Sequence, residues 1–131
     1  MTLVDTNVLV DLARDTEWAG WSVEKLSEAA GHGLLWINPV IYAEVSPLFA
    51  TRDELTAFLS SLGLNMTDFT REALFRAGHA HREYRRRGGE RQRMLADFLI
   101  GAQADVTERA ILTRDPRPYR TYFPDVRLIT P

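Results

Sequence analysis

Short β-prone runs alternate with longer helical stretches along this chain, and this alternation limits the folds that it can adopt. The runs expected to form strands are residues 2–4, 34–37, 64–66, 110–113 and 126–129. Parallel strands need crossover connections, and these are usually helical. The sequence therefore predicts an α/β protein, a three-layer α/β/α fold with a central parallel sheet of four to five strands.

Between these runs, apolar residues recur at helical spacing. Helices are expected after residue 5, over residues 18–30, from Pro39 onward, over 55–62, over 70–86 and over 94–106, with a turn-rich piece at 116–122. The helix over 70–86 is expected to direct Leu74, Ala77 and Tyr84 inward. Residues 88–92 are expected to form a loop.

Length and composition favour one ordinary domain, spanning residues 1–131. A chain of 131 residues with 45% hydrophobic residues can bury a continuous core without a disulfide or metal staple. Its longest apolar stretch is well short of the roughly 20 residues of a membrane span, and the first ten residues lack the basic region of a signal peptide. We expect a soluble, cytoplasmic protein that does not associate with membranes.

The chain contains no cysteine, which excludes a disulfide framework, a thiolate nucleophile and a thiolate zinc site. The net charge of -2 is not that of a general nucleic-acid binder. Local charge differs, because residues 82–93 read REYRRRGGERQR and form a concentrated basic run. Arg85, Arg86, Arg87 and Arg91 in this run could track phosphates or meet an acidic partner. A solvated helix end followed by a flexible loop is the alternative interpretation.

Asp97 lies within MLADFLIGAQA, where apolar or small side chains occupy nearly every direction around the helix. Such a helix is expected to be buried. A lone carboxylate there costs several kcal/mol unless it is paired, hydrogen-bonded or bound to a cation. The alternative is a carboxylate in the first helical turn, where backbone N–H groups satisfy it.

Three further acidic residues carry weak signals when taken singly. Asp5 could simply cap the first helix, and Asp115 precedes Pro116 in a pattern that many ordinary turns share. Glu44 sits on a largely apolar helix and points either to solvent or into a polar pocket. Asp5 and Asp115, however, both follow predicted strands, and the carboxyl ends of parallel strands are where sites form.

Taken together, these four carboxylates favour a cation site. Carboxylates gathered in one cleft raise their own pKa values unless a hard cation neutralises them, and all-oxygen ligation suits Mg²⁺ or Mn²⁺. The three histidines, His32, His79 and His81, are scattered and are interpreted as structural or surface residues, which argues against zinc.

The segments LVDTNVLVDL, YAEV, ADFLIGAQA, ILTRDP and RLITP occur in this order over essentially the whole chain. Together they resemble the PIN domain, and especially the VapC-type toxins of toxin–antitoxin modules. The resemblance implies a metal-dependent endoribonuclease, in which water activated by the cation hydrolyses RNA phosphodiester bonds. It implies that Asp5 and Asp97 are the principal Mg²⁺ ligands, while Glu44 and Asp115 complete the acidic cluster directly or through water. Small polar residues supporting this cluster would be Thr6, Asn7 and Thr113.

The same resemblance implies three partners: an RNA substrate, a second copy of the chain in a homodimer, and a cognate antitoxin whose C-terminal segment covers the acidic cleft. A stand-alone PIN nuclease in RNA processing and a non-catalytic interaction module on the same fold remain alternatives. An enzyme that forms an aspartyl-phosphate is disfavoured. Haloacid-dehalogenase-like phosphatases carry an aspartate where Asn7 stands, and receiver domains need a lysine after a late strand, whereas the single lysine is Lys25.

Overall fold

The computed structural model describes residues 1–89 and 95–131. The strands are β1 Thr2–Val4, β2 Leu35–Ile37, β3 Leu64–Met66, β4 Ala110–Leu112 and β5 Leu128–Ile129. They form one sheet in the order β3-β2-β1-β4-β5, and every neighbouring pair is parallel. The predicted α/β class with its parallel central sheet is confirmed.

The helices are α1 Thr6–Arg14, α2 Ala19–His32, α3 Pro39–Val45, α4 Arg52–Ser61, α5 Arg71–Arg86, α6 Leu95–Val106 and α7 Arg117–Arg120, with a short 3-10 helix at Ser46–Leu48. Side-chain caps explain several of their starting points. Asp5, Asn38, Thr51 and Thr70 each accept a hydrogen bond from a backbone N–H group of the following turn. Across the described ranges, every helix is too short or too polar to cross a bilayer.

The strand order places β1 at the centre of the sheet and separates the helices into two layers. The chain moves outward from β1 through β2 to β3, then returns to the other side of β1 for β4 and β5. Because crossovers between parallel strands are right-handed, the reversal of direction puts α1 to α4 on one face and α5 to α7 on the other. The three layers enclose a core in which Leu3, Val4, Ile111 and Leu112 are fully buried.

The expected burial of α6 is confirmed, since Phe98, Ile100, Ala102 and Ala104 are all buried. Gly101 lies where a Cβ atom would stand 2.3 Å from the Phe123 ring, so the helix approaches that ring closely. The predicted start of this helix at residue 94 and most of the predicted loop at residues 88–92 lie outside the described residues.

Two expectations from the sequence need correction. Ala77 is buried and Tyr84 packs against the core, as predicted, but Leu74 is 46% exposed. The inward side of α5 carries Ala73 beside Ala77, and these small residues let α6 pack closely against it. The last strand is shorter than residues 126–129, because the backbone N–H of Val126 donates to the carbonyl of Phe123 in a turn at 3.1 Å.

Candidate active site

A cleft of about 790 Å³ opens at the carboxyl ends of β1 and β4. Its acidic lining residues are Asp5, Glu44, Asp97 and Asp115. Asp5 follows β1, Glu44 lies on α3, Asp97 lies on α6, and Asp115 follows β4. The fold therefore brings the four carboxylates selected from the sequence to one surface, from four separate parts of the chain. The cleft also lies where the strand order reverses, which is the usual position of a ligand site in an open parallel sheet.

Asp5 is 7% exposed and rigidly held. Its Oδ1 accepts a hydrogen bond from the backbone N–H of Thr6 at 2.7 Å, and its Oδ2 accepts from Thr113 Oγ1 at 2.8 Å and from the Tyr119 hydroxyl at 2.7 Å. Burial raises the pKa of the Asp5 carboxyl; the three hydrogen bonds oppose this rise, and the charge of Glu44 adds to it. Asp5 is thus both the cap of α1 and a carboxylate that an added positive charge would stabilise.

Glu44 lies at the exposed edge of the cleft. Its Oε1 accepts a hydrogen bond from the Thr6 hydroxyl at 2.7 Å, which joins α3 to the first turn of α1. The two orientations that the sequence allowed for Glu44 are therefore not exclusive. The side chain faces both solvent and a polar neighbour.

Asp115 is held by an arginine two residues further along the chain. Arg117 donates from Nε to Oδ1 at 2.7 Å and from Nη2 to Oδ2 at 2.9 Å, and its backbone N–H also reaches Oδ1 at 3.1 Å. The backbone N–H of Asp115 donates to Thr113 Oγ1 at 3.0 Å. The turn after β4 consequently positions the Asp115 carboxylate through local contacts.

Asn7 links the first helix to the same turn. Its Nδ2 donates to Thr113 Oγ1 at 3.0 Å, and its Oδ1 accepts from the backbone N–H of Arg114 at 3.0 Å. Thr6, Asn7 and Thr113, the small polar residues that the family resemblance implied, all hydrogen-bond to residues that line the cleft. Asn7 and Thr113 connect the carboxyl ends of β1 and β4, whereas Thr6 connects the start of α1 to α3.

Asp97 occupies the first turn of α6 and is half-buried. This position is compatible with both interpretations made from the sequence, a carboxylate satisfied at a helix start and a cation ligand. The negative charge of Asp97 affects the Tyr119 phenol, which donates to Asp5 in the cleft lining. Burial and the contact with Asp5, followed by the charges of Asp97 and Glu44, raise the pKa of the Tyr119 phenol well above its ordinary value.

The donor set of the cleft fits a hard divalent cation. Its acidic side chains offer oxygen ligands, and their mutual repulsion is the charge that such a cation offsets. Among the described residues, no three acidic or histidine side chains are already arranged around a common metal position. Glu44 and Asp115 instead face Thr6 and Arg117. Direct ligation by Asp115 would place the cation in competition with Arg117 for the same carboxylate oxygens.

Tyr119 was not identified from the sequence, although it is fully buried and its hydroxyl touches Asp5. Nothing in the local sequence PRPYR indicates a contact with a residue near the start of the chain.

Asp11 was also missed. It is fully buried on α1, pairs with Arg114, and accepts hydrogen bonds from Thr16 at 2.7 Å and Ser22 at 2.8 Å. Burial alone would raise its pKa, but these three hydrogen bonds and the Arg114 charge outweigh it and hold the pKa below its ordinary value. A carboxylate in the apolar stretch VLVDLA was a signal of the same kind as that of Asp97.

The basic run begins on the last turns of α5, next to the cleft. Arg85 and Arg86 are exposed, while Arg87 pairs with Glu83 at 2.9 Å. Gly88 and Gly89, which follow directly, line the cleft. Arg91 lies outside the described residues. Arg87 thus directly precedes the glycines of the cleft lining, whereas Arg85 and Arg86 line a separate surface depression on α5.

The model of the PIN domain family matches residues 2–124 of this chain. No curated protein sequence matches it significantly. Among solved structures, a chain from VapBC2 of Rickettsia felis bound to a DNA fragment from its promoter is 17% identical, with a TM-score of 0.75 over 98% of this chain and 97% of that one. A chain from DNA-bound VapBC of Salmonella typhimurium is 16% identical, with a TM-score of 0.72 over 98% and 96%. A chain from FitAcB of Neisseria gonorrhoeae is 20% identical, with a TM-score of 0.71 over 98% and 96%. At these identities the likeness is one of fold.

Proposed function

Because this chain belongs to the PIN domain family, we propose that it is a metal-dependent endoribonuclease that hydrolyses RNA phosphodiester bonds as the toxin of a toxin–antitoxin pair. The observation that carries the proposal is the cleft, which gathers the carboxylates of Asp5, Glu44, Asp97 and Asp115. Gathering like charges raises the electrostatic free energy of the folded chain. A bound divalent cation would offset that cost and would account for the gathering of the four carboxylates.

We infer that the cation is Mg²⁺, with Mn²⁺ as a substitute. When bound, it would polarise water and offset the charge that develops on the phosphate oxygens. Asp5 and Asp97 would hold it, since Asp5 is fixed by three hydrogen bonds and Asp97 stands on the buried helix α6. Glu44 and Asp115, which are held at the cleft by Thr6 and Arg117, would complete the set directly or through water.

The RNA backbone would approach along the carboxyl end of α5. Arg85, Arg86 and Arg87 stand there, and Gly88 and Gly89 lead from them into the cleft. Exposed guanidinium groups bind phosphates without regard to base sequence. They would bring an anionic strand to a cleft whose own carboxylates repel it. We place Arg91 in the same role on the sequence alone.

The partner we propose is a cognate antitoxin that covers the acidic cleft, with the toxin itself a homodimer. Support comes from the solved structures of similar fold, one of which, from Klebsiella pneumoniae, is described as a toxin–antitoxin complex, and two of which are described as VapBC assemblies bound to DNA. The open cleft supplies a fitting surface, because a segment bearing basic side chains would neutralise carboxylates that otherwise repel each other.

The decisive experiment is cleavage of a panel of structured RNAs by the purified chain in Mg²⁺, Mn²⁺ or EDTA. Variants Asp5→Asn and Asp97→Asn, checked for native fold, are compared with Asp125→Asn, which changes an exposed carboxylate at the opposite end of the sheet. We expect cleavage that needs the cation, that both cleft substitutions lower by at least about 100-fold, and that Asp125→Asn leaves unchanged.

Two outcomes would contradict the proposal. Cleavage that persists in EDTA or survives both cleft substitutions would mean that these carboxylates do not serve the reaction. An absence of cleavage in every condition, with the fold intact, would favour a non-catalytic interaction module.

A further inference from the structure

The surroundings of the Asp5 carboxylate leave one direction for a ligand. An ionised carboxylate has about four acceptor positions, two on each oxygen. Oδ2 uses both of its positions, for Thr113 Oγ1 at 2.8 Å and the Tyr119 hydroxyl at 2.7 Å. Oδ1 uses one, for the backbone N–H of Thr6 at 2.7 Å. Within residues 1–89 and 95–131, the remaining position is therefore the second lone pair of Oδ1, on a residue that lines the cleft.

Tyr119 is fixed where it makes this contact. Its side chain is fully buried, and α7 anchors its backbone, because its N–H donates to the Pro116 carbonyl at 3.1 Å and its carbonyl accepts from Phe123 at 2.9 Å. A buried hydroxyl that lost its acceptor would carry a desolvation penalty, so the phenol stays on Asp5. The hydroxyl is the donor of this hydrogen bond, because an ionised carboxylate can only accept.

We propose that Tyr119 is a positioning residue that, together with Thr113, occupies Oδ2 of Asp5 and so presents a single lone pair of Oδ1 to a divalent cation. This inference rests on the proposed function, since it takes Asp5 as a ligand of that cation. Asp5 is then a monodentate ligand whose direction is set before the cation binds. Hydrogen bonds that orient a ligand in this way commonly change metal affinity by 10- to 100-fold when they are removed.

The first test measures Mn²⁺ and Mg²⁺ binding by titration calorimetry and by Mn²⁺ electron paramagnetic resonance, without RNA. Tyr119→Phe removes the hydroxyl and keeps the ring, and we expect it to weaken binding roughly 10-fold or more. Tyr122→Phe is the matched control. It removes a hydroxyl from a half-buried tyrosine of the same segment that lies outside the cleft lining, and its affinity should equal that of the unmodified chain.

A second readout reports the ligand geometry itself. The separation between the antisymmetric and symmetric carboxylate stretches in the infrared spectrum is wider for a monodentate than for a bidentate carboxylate. Difference spectra between cation-bound and cation-free protein, with the Asp5 bands identified by their loss in Asp5→Asn, should show the wide separation. In Tyr119→Phe, the acceptor position released on Oδ2 should let Asp5 bind the cation through both oxygens. The separation between the two stretches should then be smaller.

The Thr113 hydroxyl offers an independent route if Tyr119→Phe does not fold. Thr113→Val removes the other donor to Oδ2, whereas Thr113→Ser keeps a hydroxyl there. We expect the valine variant to lose affinity and the serine variant to retain it. Unchanged affinity in a folded Tyr119→Phe, equal affinities in the two Thr113 variants, or a narrow stretch separation in the unmodified chain would overturn the inference alone. A folded, unmodified chain that binds neither cation would overturn the proposed function together with it.

Discussion

Arg117 holds the Asp115 carboxylate through two parallel hydrogen bonds, from Nε to Oδ1 at 2.7 Å and from Nη2 to Oδ2 at 2.9 Å. The arginine side chain is 77% exposed, so solvent can take over its hydrogen bonds if it moves away. A cation that is ligated directly by Asp115 needs the same carboxylate oxygens. Arg117 and the cation are therefore competitors for this residue.

This competition predicts that Arg117→Gln tightens cation binding. The expected gain is modest, roughly two- to five-fold, because exposed ion pairs are weak. Titration calorimetry with Mn²⁺ in the absence of RNA measures it, and Arg120→Gln, on the same short helix and exposed, is the control. Unchanged or weaker binding in Arg117→Gln would show that Asp115 does not ligate the cation directly.

The arginines at the end of α5 predict a salt-dependent contribution to RNA binding. Arg86→Ala and Arg87→Ala should each weaken binding across unrelated RNA sequences and lower the salt slope by about one. Binding is measured over a salt series with a cleavage-inactive Asp97→Asn background. Arg127→Ala, at the opposite end of the sheet, is the control. An identical slope in all these variants would count against a phosphate-binding role.

The ion pair between the buried Asp11 and the partly exposed Arg114 predicts a large effect on stability. Asp11→Ala leaves the Arg114 guanidinium and the hydroxyls of Thr16 and Ser22 without this acceptor. Breaking a buried ion pair by removing one partner costs about 3–5 kcal/mol. Urea unfolding should show this loss in Asp11→Ala, whereas Glu17→Ala, at an exposed site nearby, should stay within about 0.5 kcal/mol of the unmodified chain.

The pKa of Asp11 also predicts how this contribution varies with pH. The folded-state pKa lies below the unfolded value, so the carboxylate is stabilised in the folded chain. Its contribution is present above the unfolded pKa of about 4 and is lost as pH falls through the folded pKa. The difference in unfolding free energy between the unmodified chain and Asp11→Ala should therefore shrink as pH is lowered below about 4. A difference that stays constant from pH 7 to pH 2 would contradict this assignment.

Gly101 predicts a further destabilising substitution. A Cβ atom there would stand 2.3 Å from the Phe123 ring, so Gly101→Ala must displace a buried aromatic side chain. The expected cost is about 1–3 kcal/mol in urea unfolding, as for other overpacked cores. Gly78→Ala, in α5 with nothing within 4 Å, should instead stabilise by about 0.4–1 kcal/mol. Equal changes in the free energy of unfolding for Gly101→Ala and Gly78→Ala would contradict this packing argument.

The sequence was informative where the cause of structure is local. Strand and helix periodicity predicted the parallel sheet, and the rule that sites follow strand ends selected Asp5 and Asp115. Asp97 and Asp11 gave the same local signal, a carboxylate in an apolar helix, but the structure places them differently. Asp97 lines the cleft, whereas Asp11 is buried against Arg114.

The contacts that the sequence could not reveal join distant parts of the chain. The sequence allowed two orientations for Glu44, and the polar neighbour that it meets while facing solvent is the Thr6 hydroxyl, 38 residues away. Tyr119 contacts Asp5 across 114 residues, and neither local sequence predicts this contact. Such pairs follow from the order of strands in the sheet, which periodicity does not determine.

The position of β1 at the centre of the sheet has a consequence for the order of folding during synthesis. One edge of β1 pairs with β2, which is synthesised early, whereas its other edge pairs with β4, which is synthesised late. The two hydrogen bonds to Asp5 Oδ2 also span 108 and 114 residues. Contacts of such long sequence separation form late, because the loop between them must first be closed. A nascent chain that ends before β4 therefore carries Asp5, Glu44 and Asp97 but no assembled cleft. The cleft can therefore assemble only once β4 and Tyr119 have emerged from the ribosome.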